Sequence, residues 1–198
     1  MKILVFADLH TPCIDIIQNI DFSCYRYDAC FTLGDIDVST LKAIKNTVNS
    51  EVYAVLGNHD VNGMLDELDV KHIDQNKIEI GGLSFVGLSG SSRYKDGDYY
   101  PMLSQSESVA ISKKLPGADI LISHDSAYGL YGSKSDHTHC GLKGISRYIK
   151  KNKPIINLHG HHHVNTIKFY KGTTDICVYG CSLMDVNTNS ITEIIRIF

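Results

Sequence analysis

Three things are scarce in this sequence, and each scarcity removes a class of protein. Lys and Arg number 19 against 22 Asp and Glu, giving a net charge of −3 and a pI near 6.3. There is no basic footprint to hold a nucleic acid by charge alone, so a nucleic acid partner is disfavoured. The six cysteines, at 13, 24, 30, 140, 177 and 181, form no CxxC pair, and free thiols are the expectation. Cys177 and Cys181 flank a predicted strand end. Met1 to Leu9 carries one Lys and an apolar run that Asp8 interrupts after five residues. This is neither a signal peptide nor a membrane span, so a cytoplasmic protein without membrane contact is expected. Internal repeats and low-complexity linkers are lacking too. With 198 residues, 43% hydrophobic and 21% charged, the chain can bury a substantial core, and one domain over residues 1–198 is expected.

What is present is a rhythm of apolar runs that end in polar residues. Lys2 to Ala7 reads as a strand whose exit carries Asp8-Leu9-His10. A spacing of two along extended chain puts Asp8 and His10 on one side, although Asp8 could equally cap the helix that follows. Ile14 to Ile20 has helical spacing. Asp28 to Leu33 reads as a strand ending in Gly34-Asp35-Ile36-Asp37, Thr40 to Val48 as a helix, and Val52 to Leu56 as a strand ending in Gly57-Asn58-His59-Asp60. Glycine and Asn tolerate sharp turns, so this last exit turns both Asn58 and His59 into one cleft. Alternating strand and helix argues for a parallel sheet, whose carboxyl edge is where ligands bind.

The middle of the chain changes character. Val61 to Leu68 reads as a short helix, and Lys77 to Ile80 with Leu83 to Leu88 as a hairpin about Gly81-Gly82. A polar loop from Ser89 to Gln105 holds Arg93, Tyr94, Lys95, Tyr99 and Tyr100. It reads either as plain surface or as a flap that offers Arg93 to phosphate oxygens. Ser106 to Leu115 and Gly141 to Lys151 read as helices. Ala118 to Ser123 is a strand running into His124-Asp125, and Pro154 to Leu158 one running into His159-Gly160-His161-His162-His163. Thr166 to Tyr170, Asp175 to Tyr179 and Ser190 to Ile197 are expected as antiparallel strands of a second sheet.

Ten His occur in the chain. Five of the candidate ligands, His10, Asn58, His124, His161 and His163, join Asp8 and Asp35 at strand exits, and none sits inside a predicted helix. A set of imidazole, carboxylate and amide oxygen without thiolate suits Mn²⁺, Fe or Zn²⁺ and argues against a structural cysteine site. It is too large for one ion and right for two that share a carboxylate, a pair about 3.5–4 Å apart that promotes displacement at phosphorus.

Asp8-Leu9-His10, Gly34-Asp35, Gly57-Asn58-His59-Asp60, His124 and Gly160-His161-His162-His163 together resemble the five ordered blocks of the calcineurin-like metallophosphoesterase superfamily. His139-Cys140-Gly141 resembles a His-x-Gly element of its small bacterial and archaeal members. The resemblance implies an α/β sandwich of two mixed β-sheets flanked by helices. It implies that Asp8, His10 and His163 hold one divalent ion, that Asn58, His124 and His161 hold another, and that Asp35 bridges them. Manganese is the first expectation for the ions, with iron, zinc or cobalt as alternatives. The resemblance further implies attack by a metal-bridging hydroxide, with His59 as general acid oriented by Asp60 and with Arg93 on the phosphoryl group.

The sequence departs from the family in places. The second Asp of the Gly34-Asp35 block comes at Asp37, one position earlier than in many members, and is left out of the site. His124 is followed by Asp-Ser-Ala-Tyr rather than a turn with Pro, and Leu56 stands where protein Ser/Thr phosphatases carry Arg, which excludes that branch. His159 and His162 are read as neighbours of the site. The expected activity is a phosphodiesterase acting on a small phosphate ester, because one Arg and a few Lys are little fixed charge for a monoester dianion. A phosphomonoesterase for nucleotides or small organic phosphates is the alternative. A non-catalytic metal-binding scaffold is the other, though such a scaffold would be expected to have lost His59 or a ligand.

Overall fold

The computed structural model describes residues 1–97, 99–187 and 191–198. The chain runs through β1 (Lys2–Ala7), α1 (Ile14–Asn19), β2 (Ala29–Thr32), α2 (Val38–Thr47), β3 (Val52–Ala54), β4 (Lys71–His72), β5 (Lys77–Ile80) and β6 (Leu83–Leu88). It continues with β7 (Ser91–Ser92), β8 (Met102–Leu103), α3 (Gln105–Lys114), β9 (Ile120–Ser123), α4 (Lys143–Asn152) and β10 (Ile156–His159), and closes with β11 (Thr166–Tyr170), β12 (Thr173–Cys177), β13 (Gly180–Val186) and β14 (Ile191–Arg196).

Two six-stranded mixed sheets result, ordered β14-β13-β1-β2-β3-β4 and β11-β12-β10-β9-β6-β5. In the first, β1 to β4 are parallel and β13 runs antiparallel to β1. In the second, β6, β9, β10 and β12 are parallel, with β5 and β11 as antiparallel edges. Strand alternation divides the apolar residues between two layers. Ile3, Val5 and Ala7 of β1 face the other sheet and meet Phe85, Ile120, Ile122 and Leu158 in the central core. Leu4 and Phe6 face outward and pack with Ile17, Leu41 and Ile44 of α1 and α2. On the far side, Leu121 of β9 packs with Leu142, Ile145 and Ile149 at α4. Phe31 stacks on Phe85 across the sandwich at 4.9 Å between ring centroids, a contact worth about 0.5–1.5 kcal/mol beyond its buried area.

Side-chain caps fix where two of the helices begin, α2 at Val38 and α3 at Gln105, one or two residues before the apolar spacing placed them. Asp37 is the N-cap of α2, accepting from the N–H groups of Ser39 and Thr40, which keeps it out of the cleft. Ser104 and Glu107 form a capping box on α3. Asp8 does not cap α1, whose N-cap is Cys13.

Three expectations need correction. Residues 61–68 form successive turns closed by i to i+3 bonds, Val61–Met64, Gly63–Asp66 and Leu65–Leu68, because Gly63 sits at φ +88° and breaks a helix there. β14 belongs to the first sheet: β13, which the pattern missed, pairs with β1 along six residues, and β14 folds back on it. The predicted start of that strand, Ser190, lies outside the described residues. The loop after β6 is no free flap at its base, since Gly90 N–H donates to the Leu56 carbonyl at 2.7 Å and β7 pairs with β8. The six cysteines are free. Among the described residues, no helix is long and apolar enough to cross a membrane.

Candidate metal centre

The exits of β1, β2, β3, β9 and β10 converge at one edge. There the backbone leaves ordinary territory: Asp8, Asp35, His161 and His163 take φ of +59°, +56°, +70° and +50°. Left-handed backbone is unfavourable for residues with a Cβ and is held only where surrounding contacts demand it, as at functional sites. Asp8 and His10 therefore meet through a turn at Asp8, not along an extended strand as their spacing implied. His162 points away from the cluster: β10 ends at His159, and the left-handed residues on either side of His162 send it to the Ser126 hydroxyl at 2.9 Å.

Glycine makes room for the carboxylates. A Cβ on Gly34 would lie 2.3 Å from the Gly57 nitrogen, and one on Gly57 would lie 2.1 Å from an Asp35 oxygen. Gly34 also needs its φ of +91°, whereas Gly57 is there for space rather than for a special turn.

Two groups of donors emerge. Asp8, His10 and His163 offer ligand atoms within 4.8 Å of one another, and so do Asp35, His124 and His161. His10 Nε2 lies 2.9 Å from His163 Nε2, and Asn58 Oδ1 lies 3.0 Å from His124 Nε2. Asp35 reaches both groups, since its carboxylate is 3.4 Å from His124 Nε2 and it also clusters with His10 and His59. Backbone carbonyls set the tautomers: His124 Nδ1–H donates to Leu33 at 2.7 Å, and His161 Nε2–H donates to Thr138 at 2.9 Å. His124 thus turns the lone pair of a wholly buried Nε2 toward the oxygens of Asn58 and Asp35.

A lone pair facing oxygens needs a cation between them, either a proton or a metal. Burial opposes a charge on His124, but Asp35 and Asp8 override it and push its pKa up to about 10. Burial lifts the Asp8 carboxyl to about 7 and drops His161 to about 4. It also lowers His10 and His163. Asp35 stays well below the carboxylate range: burial works against its charge, but His124 and the His59 N–H outweigh it. The lowered imidazoles of His10, His161 and His163, with His124, buried carboxylates and an amide oxygen, form a donor set that fits divalent cations.

Two assignments from the sequence change. Asp60 does not orient His59. Its Oδ2 accepts from the N–H groups of Gly57 at 2.7 Å and Asp35 at 2.8 Å, and its Oδ1 from Ile36 at 3.2 Å, so it clasps two ligand loops together. Arg93 is turned from the cluster: Nη2 donates to the Met102 carbonyl at 2.8 Å and lies 3.6 Å from Glu107. His59 stands exposed at the rim, its ring 5.0 Å from that of His10. His159 is buried against Asp175 at 3.0 Å. Tyr94, not singled out from its loop, accepts from Asn58 Nδ2 at 3.1 Å and fixes which way the amide faces. His139 stands beside His161, 5.1 Å ring to ring, with Asp136 at 3.1 Å on its Nδ1.

Residues 1–189 match the family model of the calcineurin-like phosphoesterase superfamily domain. No curated protein matches the chain. Among solved structures, it is similar to a dimetal phosphatase from Danio rerio, with TM-score 0.62 at 12% identity over 93% of this chain and 92% of that one. An archaeal phosphodiesterase aligns with TM-score 0.59 at 15% identity over 98% and 99%. The phosphopantetheinyl hydrolase PptH of Mycobacterium tuberculosis aligns with TM-score 0.59 at 15% identity over 90% and 89%.

Proposed function

The chain belongs to the calcineurin-like phosphoesterase superfamily, a family of hydrolases acting on phosphate esters with divalent metal ions, and on that premise we propose that it is a dinuclear-metal phosphodiesterase. The observation that carries the reading is the buried Nε2 of His124 facing the oxygens of Asn58 and Asp35, beside a second group in which His10 and His163 converge on Asp8. Asp8, His10 and His163 would hold one ion, Asn58, His124 and His161 the other, with Asp35 shared between them. When bound, such a pair supplies an activated water nucleophile and neutralises the phosphoryl oxygens. A mixed nitrogen and oxygen set without thiolate suits Mn²⁺.

The protein's own residues do the remaining work. Leu33 and Thr138 hold His124 and His161 in register through their carbonyls, and Tyr94 keeps Asn58 Oδ1 inward. His59 holds a proton at the open rim and gives it to the departing alkoxide, so that the diester becomes a monoester and an alcohol. The preference for a diester is supported by Arg93, whose guanidinium is engaged with Met102 and Glu107. The test is to strip the protein, reconstitute it with Mn²⁺, and compare bis(p-nitrophenyl) phosphate with p-nitrophenyl phosphate, with a chelated control. Chelator-sensitive turnover favouring the diester is expected; preference for the monoester would overturn the phosphodiesterase reading.

A further inference from the structure

A cavity of about 240 Å³ lies along the same sheet edge as the metal centre, walled by Leu56, His72, Asp74, Arg93, Tyr100 and Met102. Its position follows from topology. Leu56 leaves β3 two residues before Asn58, His72 ends β4, and Leu88, which also lines it, ends β6. These strands run parallel to the ones that deliver the metal donors, so the cavity opens on the carboxyl rim where ligands of parallel sheets bind. Consecutive loop residues join the two places: Arg93 lines the cavity while the Tyr94 hydroxyl accepts from Asn58.

The lining combines three kinds of chemistry. Tyr100 offers an aromatic face, with Lys95 Nζ 4.0 Å from its ring centroid. Leu56 and Met102 are apolar and buried. Around them stand Asp74, whose carboxylate accepts from Ser89 N–H at 2.6 Å and from Gln75 Nε2 at 3.0 Å, His72, whose Nε2 is 3.1 Å from the Ser89 hydroxyl, and the Arg93 guanidinium. Each carboxylate oxygen has acceptor capacity beyond one bond, and guanidinium keeps further donors. A plain alkyl chain would leave these groups unmatched, which is costly. A flat heterocycle with donors and acceptors on its edge matches an aromatic wall and a polar rim together. The volume is below the ~300–1,000 Å³ of pockets for drug-sized ligands, the scale of one ring system.

We propose that this cavity seats the nucleobase of a nucleotide-type diester, and that Arg93 and Tyr100 belong to its specificity pocket rather than to the phosphoryl site. The inference rests on the phosphodiesterase reading above. The Mn²⁺-loaded enzyme is assayed with thymidine 5′-(p-nitrophenyl phosphate) and methyl p-nitrophenyl phosphate, which release the same phenolate. A kcat/KM at least about tenfold higher for the thymidine ester, expressed in KM, is expected. Ile111→Trp, which fills the cavity from α3, should bring the ratio near one, and Arg93→Ala should lower it. Equal kcat/KM for both esters in the unaltered enzyme, or a preference that survives Ile111→Trp, overturns the pocket and leaves the phosphodiesterase standing. Turnover of neither ester with metal bound overturns that reading and the pocket with it. Should Ile111→Trp fail to fold, free thymidine decides: competitive inhibition of methyl ester hydrolysis supports the pocket, and its absence overturns it.

Discussion

The backbone N–H of Asp35 donates to the carboxylate of Asp60 at 2.8 Å, and that same carboxylate oxygen accepts from Gly57 at 2.7 Å. One buried side chain thus ties the loop after β2 to the loop after β3, and with them Asp35 to the turn that carries Asn58. Burial, with the charge of Asp35 beside it, raises the Asp60 carboxyl to about 6, so the clasp is anionic above that pH. Asp60→Ala strands three backbone donors at a cost of about 1–3 kcal/mol each where they stay dry. A thermal melt should fall by several degrees and metal affinity with it. A variant with unchanged Tm and metal content, deficient only in proton donation, would restore the orienting role for Asp60.

Replacing His59 separates chemistry from metal binding. Its backbone N–H, which donates to Asp35 at 2.7 Å, survives in His59→Ala, so Asp35 keeps that contact. Metal content should stay near that of the unaltered protein while turnover of an alkyl ester drops about 10²–10⁴-fold. An aryl ester, whose leaving group needs less help, should lose much less. Equal losses on both would remove His59 as the proton donor.

Tyr94→Phe deletes the acceptor of the Asn58 amide and little else. Partners of metal ligands are typically worth about 10–100-fold in affinity or activity. Titration of the stripped variant with Mn²⁺, followed by electron paramagnetic resonance, should find one of two sites weakened. Identical isotherms would reduce Tyr94 to a bystander.

Metal should stabilise the fold because the donors are assembled only in it. At a concentration about 100 times Kd the gain is about 2.7 kcal/mol, or roughly 5–10 °C for a chain of this size. Asp35→Asn should abolish most of the shift, since Asp35 clusters with His124 and His161 on one side and with His10 on the other. A calorimetric scan with and without Mn²⁺ measures this.

Acid should loosen the junction between β6 and β9. The Ser84 hydroxyl and N–H, at 2.6 and 2.8 Å, hold the Asp119 carboxyl below its ordinary pKa. A depressed folded-state value means a contribution complete above the unfolded pKa of about 3.9 and lost as pH falls through the lower folded value. In Asp119→Asn the stability difference from the unaltered protein, measured by urea melts, should shrink below pH 4. A difference that stays constant from pH 7 to 3 would discount the carboxylate.

Sequence alone determined most of the elements and the identity of the converging residues. Apolar runs bounded by Gly, Asn and Asp mark β1, β2, β3, β9 and β10, because strands covered on both faces need continuous apolar side chains and their exits need polar turns. Asp8, His10, Asp35, Asn58, His124, His161 and His163 all stand at those exits. Only the tertiary structure decided what each one touches. The left-handed turns at Asp8, Asp35, His161 and His163 are imposed by contacts far away in the chain. Leu33 and Thr138 act through carbonyls that every residue possesses, so no side-chain pattern announces them. Asp60 follows His59 directly, yet its oxygens go to amides of another loop; Arg93 bears the right charge, yet its guanidinium turns to Met102 and Glu107. Residue type sets what a side chain is able to bind, but the packing of two sheets sets what comes within 3 Å of it.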